Sequence, residues 1–159
     1  MLPENSWATS VATRRSMLAN RSRDTSPELK LRKLLWAQGL RYRVAAKPLA
    51  DRRRTVDIVF GPAKVAVEIH GCFWHGCPEH YRPPGSNVEY WSAKIARNRA
   101  RDATKLAALE AAGWEVVVAW EHEKPEDVAI RVAEAVARRR PKRGTSDARE
   151  EQATRETAR

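Results

Sequence analysis

Residues 55–70 read TVDIVFGPAKVAVEIH. Two runs rich in β-branched residues, 55–60 and 65–70, flank Gly61-Pro62-Ala63-Lys64. Strand formers separated by a Gly-Pro turn predict a β-hairpin with antiparallel partners. Each run carries one carboxylate, Asp57 or Glu68, among apolar neighbours. An unpaired carboxylate is costly to bury there, and a metal ion would relieve that cost. The alternative is that either acid faces solvent, since strand residues alternate between two faces.

Working towards the N-terminus, Thr25 or Ser26 can cap a helix with Pro27 in its first turn and Glu28 near its positive end. Leu31, Leu34 and Leu35 mark its buried face, and Gly39 suits its stop. Leu40, Tyr42 and Val44 then alternate with Arg41 and Arg43, the pattern of a strand with one wet face. Towards the C-terminus, residues 71–88 are rich in Gly, Pro, Cys and His and read as a loop. Asn87 can cap a long helix to about Ala112, closed by Gly113. WEVVVAW (114–120) reads as a buried strand, and a last helix runs from about Pro125 to Ala137. A strand, a long helix and a second strand make a crossover suited to parallel pairing. The expected fold is an α/β sandwich with a mixed sheet.

The chain has 159 residues, which suits one domain plus tails. Thirty Lys and Arg against twenty Asp and Glu leave a net charge of +10. Hydrophobic residues make up 42%, enough for one core, so a wholly disordered chain is excluded. So basic a chain suggests a polyanionic partner, most simply nucleic acid; the alternative is a protein that happens to be basic. Residues 1–23, with Arg14, Arg15, Arg21 and Arg23, read as a basic arm. Residues 139–159 read as a disordered charged tail, leaving 24–138 as the folded unit. No run approaches the roughly 18 apolar residues of a membrane span, and no secretory leader is evident. A cytoplasmic monomer with no membrane partner is expected.

Three of the four histidines and both cysteines fall between His70 and His80. Cys72, Cys77 and His80 have the spacing C-x4-C-x2-H, and thiolate and imidazole are preferred ligands of zinc. A closed site needs four ligands, and His122 is the histidine left outside the cluster. The ends of the two strands that carry or precede these residues should lie close together. A zinc pin would explain how a long loop stays ordered; the alternative is two free thiols and incidental histidines. His70 and His75 remain over, which suggests chemistry nearby. With Asp57 and Glu68, His70 completes a D-x10-E-x-H pattern, similar to a nuclease signature of Asp, then an acid, a spacer and Lys. Two strand carboxylates beside a hairpin can hold Mg2+ against a phosphodiester.

Phe73-Trp74 and Tyr90-Trp91 bracket the loop. Exposed aromatic pairs in a basic protein can stack on bases or wedge between them. Lys94, Asn98 and Arg101 fall on one helix face, with Arg97 nearby, and form a candidate phosphate track. The alternative is an aromatic cluster under the loop with an ordinary solvated basic face.

RSRDTSPELKLRKLLWAQGLRYRV, VDIVF, HGCFWHGCPEH, EYWSAKIARNRARD and GWEVVVAWEHE, in this order and spacing, closely resemble the very short patch repair (Vsr) DNA mismatch endonucleases. The resemblance covers roughly residues 14–123. It implies a restriction-endonuclease-like three-layer core with a mixed β-sheet, flanking helices and a zinc-stapled loop. It implies Mg2+-dependent nicking of one strand 5′ of the thymine in a T:G mismatch left by deamination of 5-methylcytosine. The implied partner is double-stranded DNA carrying that mismatch, with cooperation from mismatch-repair proteins. By this resemblance Asp57 is the Mg2+-binding catalytic aspartate, and His75 activates the attacking water. Glu28 and His70 match supporting catalytic positions, with Glu28 orienting a histidine or a water. Phe73, Trp74 and Trp91 match aromatics that enter the DNA beside the mismatch. Cys72, Cys77, His80 and His122 match the structural Zn2+ set. The basic arm matches a segment that grips DNA from the opposite groove, with Met17 a candidate for insertion. Glu68 falls where family members are expected to have a non-acidic residue.

Two rivals stand beside this reading. One is a non-catalytic zinc-stapled DNA-binding module, which would not cleave. The other is a nuclease of the same core that cuts a fixed site in matched DNA.

Overall fold

The computed structural model describes residues 24–51 and 53–140. Met17, the basic arm and nearly all of the charged tail lie outside the described residues. The elements run α1 (Ser26–Ala37), β1 (Arg43–Ala46), β2 (Val56–Phe60), β3 (Val65–His70), α2 (Val88–Ala111), β4 (Glu115–Trp120) and α3 (Pro125–Arg139).

The hairpin forms as its composition dictates: Ile58, Val59 and Phe60 of β2 pair antiparallel with Val67, Ala66 and Val65 of β3. β1 joins the free edge of β2 antiparallel, and β4 joins β3 parallel, giving the order β1-β2-β3-β4. α2 makes the crossover that parallel pairing needs.

Alternation along the strands sorts side chains into two layers. Ile58, Phe60, Val65, Val67 and Ala119 face α1 and α3, which contribute Leu31, Leu35, Val128, Val132 and Val136. Val59 and Ala66 face the other way and pack with Val56 and with Leu109 of α2. The result is three layers: two helices, a mixed sheet, and one long helix.

Several local expectations change. Strand pairing starts at Arg43, because the Leu40 amide still bonds to the Leu35 carbonyl (3.0 Å) and closes α1. Thr25 makes no side-chain capping bond; the Glu28 carboxylate accepts the Asp24 amide instead (2.8 Å). Asn87 stands at the N-cap of α2 with a left-handed backbone (φ 53°) and no side-chain capping bond. β4 is half-buried, with only Ala119 fully inside, because it is the last strand of the described sheet. α3 runs two residues further than predicted, tied by Arg139 to the carbonyls of Ala63 (2.9 Å) and Gly113 (2.6 Å).

Among the described residues no helix is long and apolar enough to cross a membrane.

Candidate active site

The α2-facing side of the sheet is apolar at one end and polar at the other. On β3, Ala66, Glu68 and His70 share this face by alternation. Antiparallel register carries Ile58↔Val67 one step further and sets Asp57 opposite Glu68. α2 answers with a matching stripe. Its inward residues are Trp91, Ile95, Asn98, Asp102, Lys105 and Leu109, at spacings of three and four. The stripe is apolar at its ends and polar in the middle.

Each polar residue of that stripe holds one part of the site. Asn98 Nδ2 donates to the Trp74 carbonyl (2.9 Å). Asp102 Oδ2 lies 2.6 Å from His75 Nδ1. Lys105 Nζ donates to Glu68 Oε2 (2.5 Å). Asn98 thus anchors the loop. The sequence reading missed Asp102 and Lys105. A polar residue at a core position of an amphipathic helix is the signal that would have found them.

Asp57 is half-buried, and its Oδ2 accepts the Ile69 amide (2.7 Å). Burial raises its pKa; the Ile69 hydrogen bond and the nearby Lys105 charge oppose that rise, and the Glu28 carboxylate adds to it. Glu28 is 3% exposed. Its carboxylate accepts the Asp24 amide and the Arg32 guanidinium, and no described histidine donates to it. It reaches the site as a charge near Asp57 and not through a histidine, which leaves the alternative of orienting a water. Glu68 is buried as well, which removes the solvent-facing alternative; burial pushes its pKa up to about 7 against the pull of Lys105.

His70 and His75 stack face to face, with centroids 4.2 Å apart and planes 6° from parallel. Burial, then the neighbouring His75, push the His70 pKa down to about 4, so His70 is a neutral wall against which His75 rests. Ligand atoms of His70, His75 and Asp102 lie within 4.8 Å of one another. Lone pairs lie in the ring plane, so two stacked imidazoles do not converge on one ion. The set reads as a hydrogen-bonded relay.

The turn carrying His75 is built tightly. The His75 amide bonds to the Gly71 carbonyl (3.1 Å), and the Cys77 amide to the Cys72 carbonyl (2.9 Å). Glu121 Oε1 accepts the Cys72 amide (2.7 Å) and ties the turn to the end of β4. Below it, ligand atoms of Cys72, Cys77, His80 and His122 lie within 4.8 Å of one another. Cys72 Sγ is 3.1 Å from His122 Nδ1; Cys77 Sγ is 3.7 Å from His122 Nδ1 and 3.8 Å from His80 Nδ1. Tetrahedral zinc with ordinary Zn–S and Zn–N bonds places S and N about 3.5 Å apart, so the donor set suits that ion.

Phe73 and Trp74 are half-buried and pack edge to face, with centroids 5.2 Å apart. Trp91 is 6% exposed and lies 5.3 Å from Phe73 and 5.9 Å from Trp74. Its ring supports theirs, a correction to its expected place among the surface aromatics. Lys94 Nζ hangs 5.5 Å from the rings of both tryptophans.

A family model described as DNA mismatch endonuclease Vsr matches residues 8–80. The chain is 44% identical over 132 residues to the type II nicking enzyme V.NaeI of Lentzea aerocolonigenes, covering 77% of this chain and 75% of that protein. It is 37% identical over 112 residues to the DNA mismatch endonuclease Vsr of Escherichia coli K12, covering 69% and 70%.

The chain belongs to the Vsr family of DNA mismatch endonucleases.

The type II nicking enzyme V.XorIIP of Xanthomonas oryzae pv. oryzae is also similar, at 46% over 104 residues, 65% of this chain and 74% of that one. As a Vsr-family member this chain is a DNA endonuclease, which sets aside the non-catalytic module. The mixed sheet with helices on both faces agrees with the restriction-endonuclease-like core expected of a Vsr protein.

Proposed function

We propose that this chain nicks one strand of double-stranded DNA 5′ of the thymine in a T:G mismatch left by 5-methylcytosine deamination. The observation that supports this reading best is continuity: Phe73, Trp74 and His75 are consecutive residues of one hydrogen-bonded turn. An aromatic wedge and a proton acceptor on one rigid piece put the cut beside the point of insertion. A mismatched pair stacks poorly, so separating it costs less than the few kcal/mol of an intact step. Discrimination then comes partly from deformability. Relatives named as type II nicking enzymes support cutting of one strand.

In the reaction, water attacks phosphorus and a P–O bond breaks. Asp102 holds His75 through Nδ1, which leaves Nε2 to take the proton from the water. His70 keeps the His75 ring from tilting away. Asp57, with Glu28 as a second charge nearby, would hold Mg2+; when bound, the ion supplies charge neutralisation at the phosphate. Cys72, Cys77, His80 and His122 would hold Zn2+ as a structural ion that pins the turn. Phe73 and Trp74 enter the duplex, and Trp91 and Lys94 brace them from α2.

The test is a nicking assay with Mg2+ on T:G duplexes with randomised flanks, beside matched T:A duplexes. Nicking confined to T:G is expected, and Asp57→Ala and His75→Ala should each abolish it. Equal nicking of matched duplex would instead indicate a fixed-site nuclease.

A further inference from the structure

Beneath the catalytic groups lies an ion pair that the proposed chemistry does not use. Lys105 Nζ is 2.5 Å from Glu68 Oε2 and 3.3 Å from the Thr55 carbonyl, one residue before β2. The Glu68 side chain is 4% exposed and that of Lys105 17%. Glu68 Oε1 has no hydrogen-bond partner among the described residues. Burying an ion pair is no general gain in stability, since an apolar pair of similar volume often serves as well or better. Such a pair would fit the setting, because the adjoining layer is Val56, Val59, Ala66 and Leu109. The placement of the pair points elsewhere. Glu68 stands opposite Asp57 across the hairpin, and the Lys105 charge acts on both carboxylates. Glu28 and Asp102 bring further negative charge from α1 and α2.

We propose that Lys105, anchored by Glu68, is a positioning residue of the nuclease: its ammonium holds the Asp57 carboxylate on the Ile69 amide against the repulsion of Glu28 and Glu68. Burial and the neighbouring carboxylates Glu28 and Glu68 all disfavour an ionised Asp57, and the Lys105 charge opposes them. The inference rests on the reading of Asp57 as the reactive carboxylate.

The test compares Glu68→Met/Lys105→Met with Lys105→Met, Lys105→Arg and Asp57→Asn at pH 8. Melting temperature is measured without DNA or Mg2+, and steady-state nicking on the duplex the wild type cuts fastest. The double variant should melt at or above the wild-type temperature. Its kcat should fall about tenfold with KM for DNA unchanged, the pattern of a lost transition-state interaction. A double variant with wild-type kcat overturns the inference and leaves the pair a packing feature. Should the double variant fail to fold, the single variants decide. Lys105→Arg nicking faster than Lys105→Met at equal melting temperature supports the role, and equal rates overturn it. Asp57→Asn nicking at the wild-type rate defeats the Asp57 reading and this inference together. An inactive Asp57→Asn beside a fully active double variant defeats this inference alone.

Discussion

His75 Nδ1 and Asp102 Oδ2 lie 2.6 Å apart, joining a loop to the middle of a helix 27 positions along the chain. A carboxylate on one ring nitrogen fixes the ring and dedicates the other nitrogen to the substrate. Asp102→Asn keeps the volume and removes the charge. It should lower kcat by about 100-fold, within the range a positioned acid–base group contributes, with little change in melting temperature. Nicking kinetics beside a thermal melt check both halves, and an unchanged kcat would remove Asp102 from the relay.

Trp74→Ala should lose rate on T:G duplex by between about fivefold and about 150-fold, the equivalent of roughly 1–3 kcal/mol of base stacking. Binding to matched duplex should change much less, because the ring is engaged only where the helix opens. Equal losses on both duplexes would make Trp74 a general contact and not a wedge.

Elemental analysis should find one zinc per chain. Removing it with a chelator and then restoring Mg2+ should lower the melting temperature and stop nicking together, because Cys72 and Cys77 frame the turn that carries His75. Loss of the metal with nicking intact would separate the two sites.

Gly76 has a φ of +61°, and a Cβ there would lie 3.0 Å from Ile95 Cγ2 and 3.1 Å from Arg99 Cδ. Ile95 is buried and has little room to yield. Gly76→Ala should therefore cost at least the roughly 1–2 kcal/mol of a left-handed non-glycine residue. Denaturant unfolding measures it, and a loss below that would show that the turn relaxes.

Glu68 has a folded-state pKa of about 7, above its ordinary 4.5, because burial disfavours the charged form. Between those values the folded chain keeps a proton that the unfolded chain gives up. The contribution of Glu68 to stability therefore falls as pH rises through that window and levels off above it. The difference in unfolding free energy between wild type and Glu68→Gln, measured from pH 4 to 8, should decline with that sign. A flat difference would mean that Lys105 fully offsets the burial.

Much of the fold was legible. The hairpin at 55–70 and the crossover to 114–120 follow from strand composition, a Gly-Pro turn and helix length, all local signals. The four Cys and His ligand candidates were legible from spacing plus one inference about strand ends, and their donor atoms do come together. Asp102 and Lys105 were not. α2 carries charged residues all round, so its sequence does not say which stripe turns inward, and two inward polar residues pass for surface ones. Trp91 erred the other way: an aromatic next to Tyr90 at the helix start reads as exposed until the loop is folded over it.

The sequence by itself determined the elements and the family, and it nominated Asp57, His75 and the metal-ligand candidates. These depend on periodicity, turn chemistry and motif spacing, which act over a few residues. Tertiary structure alone decided the partners: Asp102 for His75, Lys105 for Glu68, Glu121 for the Cys72 amide. Those pairings depend on how α2 is rotated against the sheet and on strand register, which many distant contacts set together.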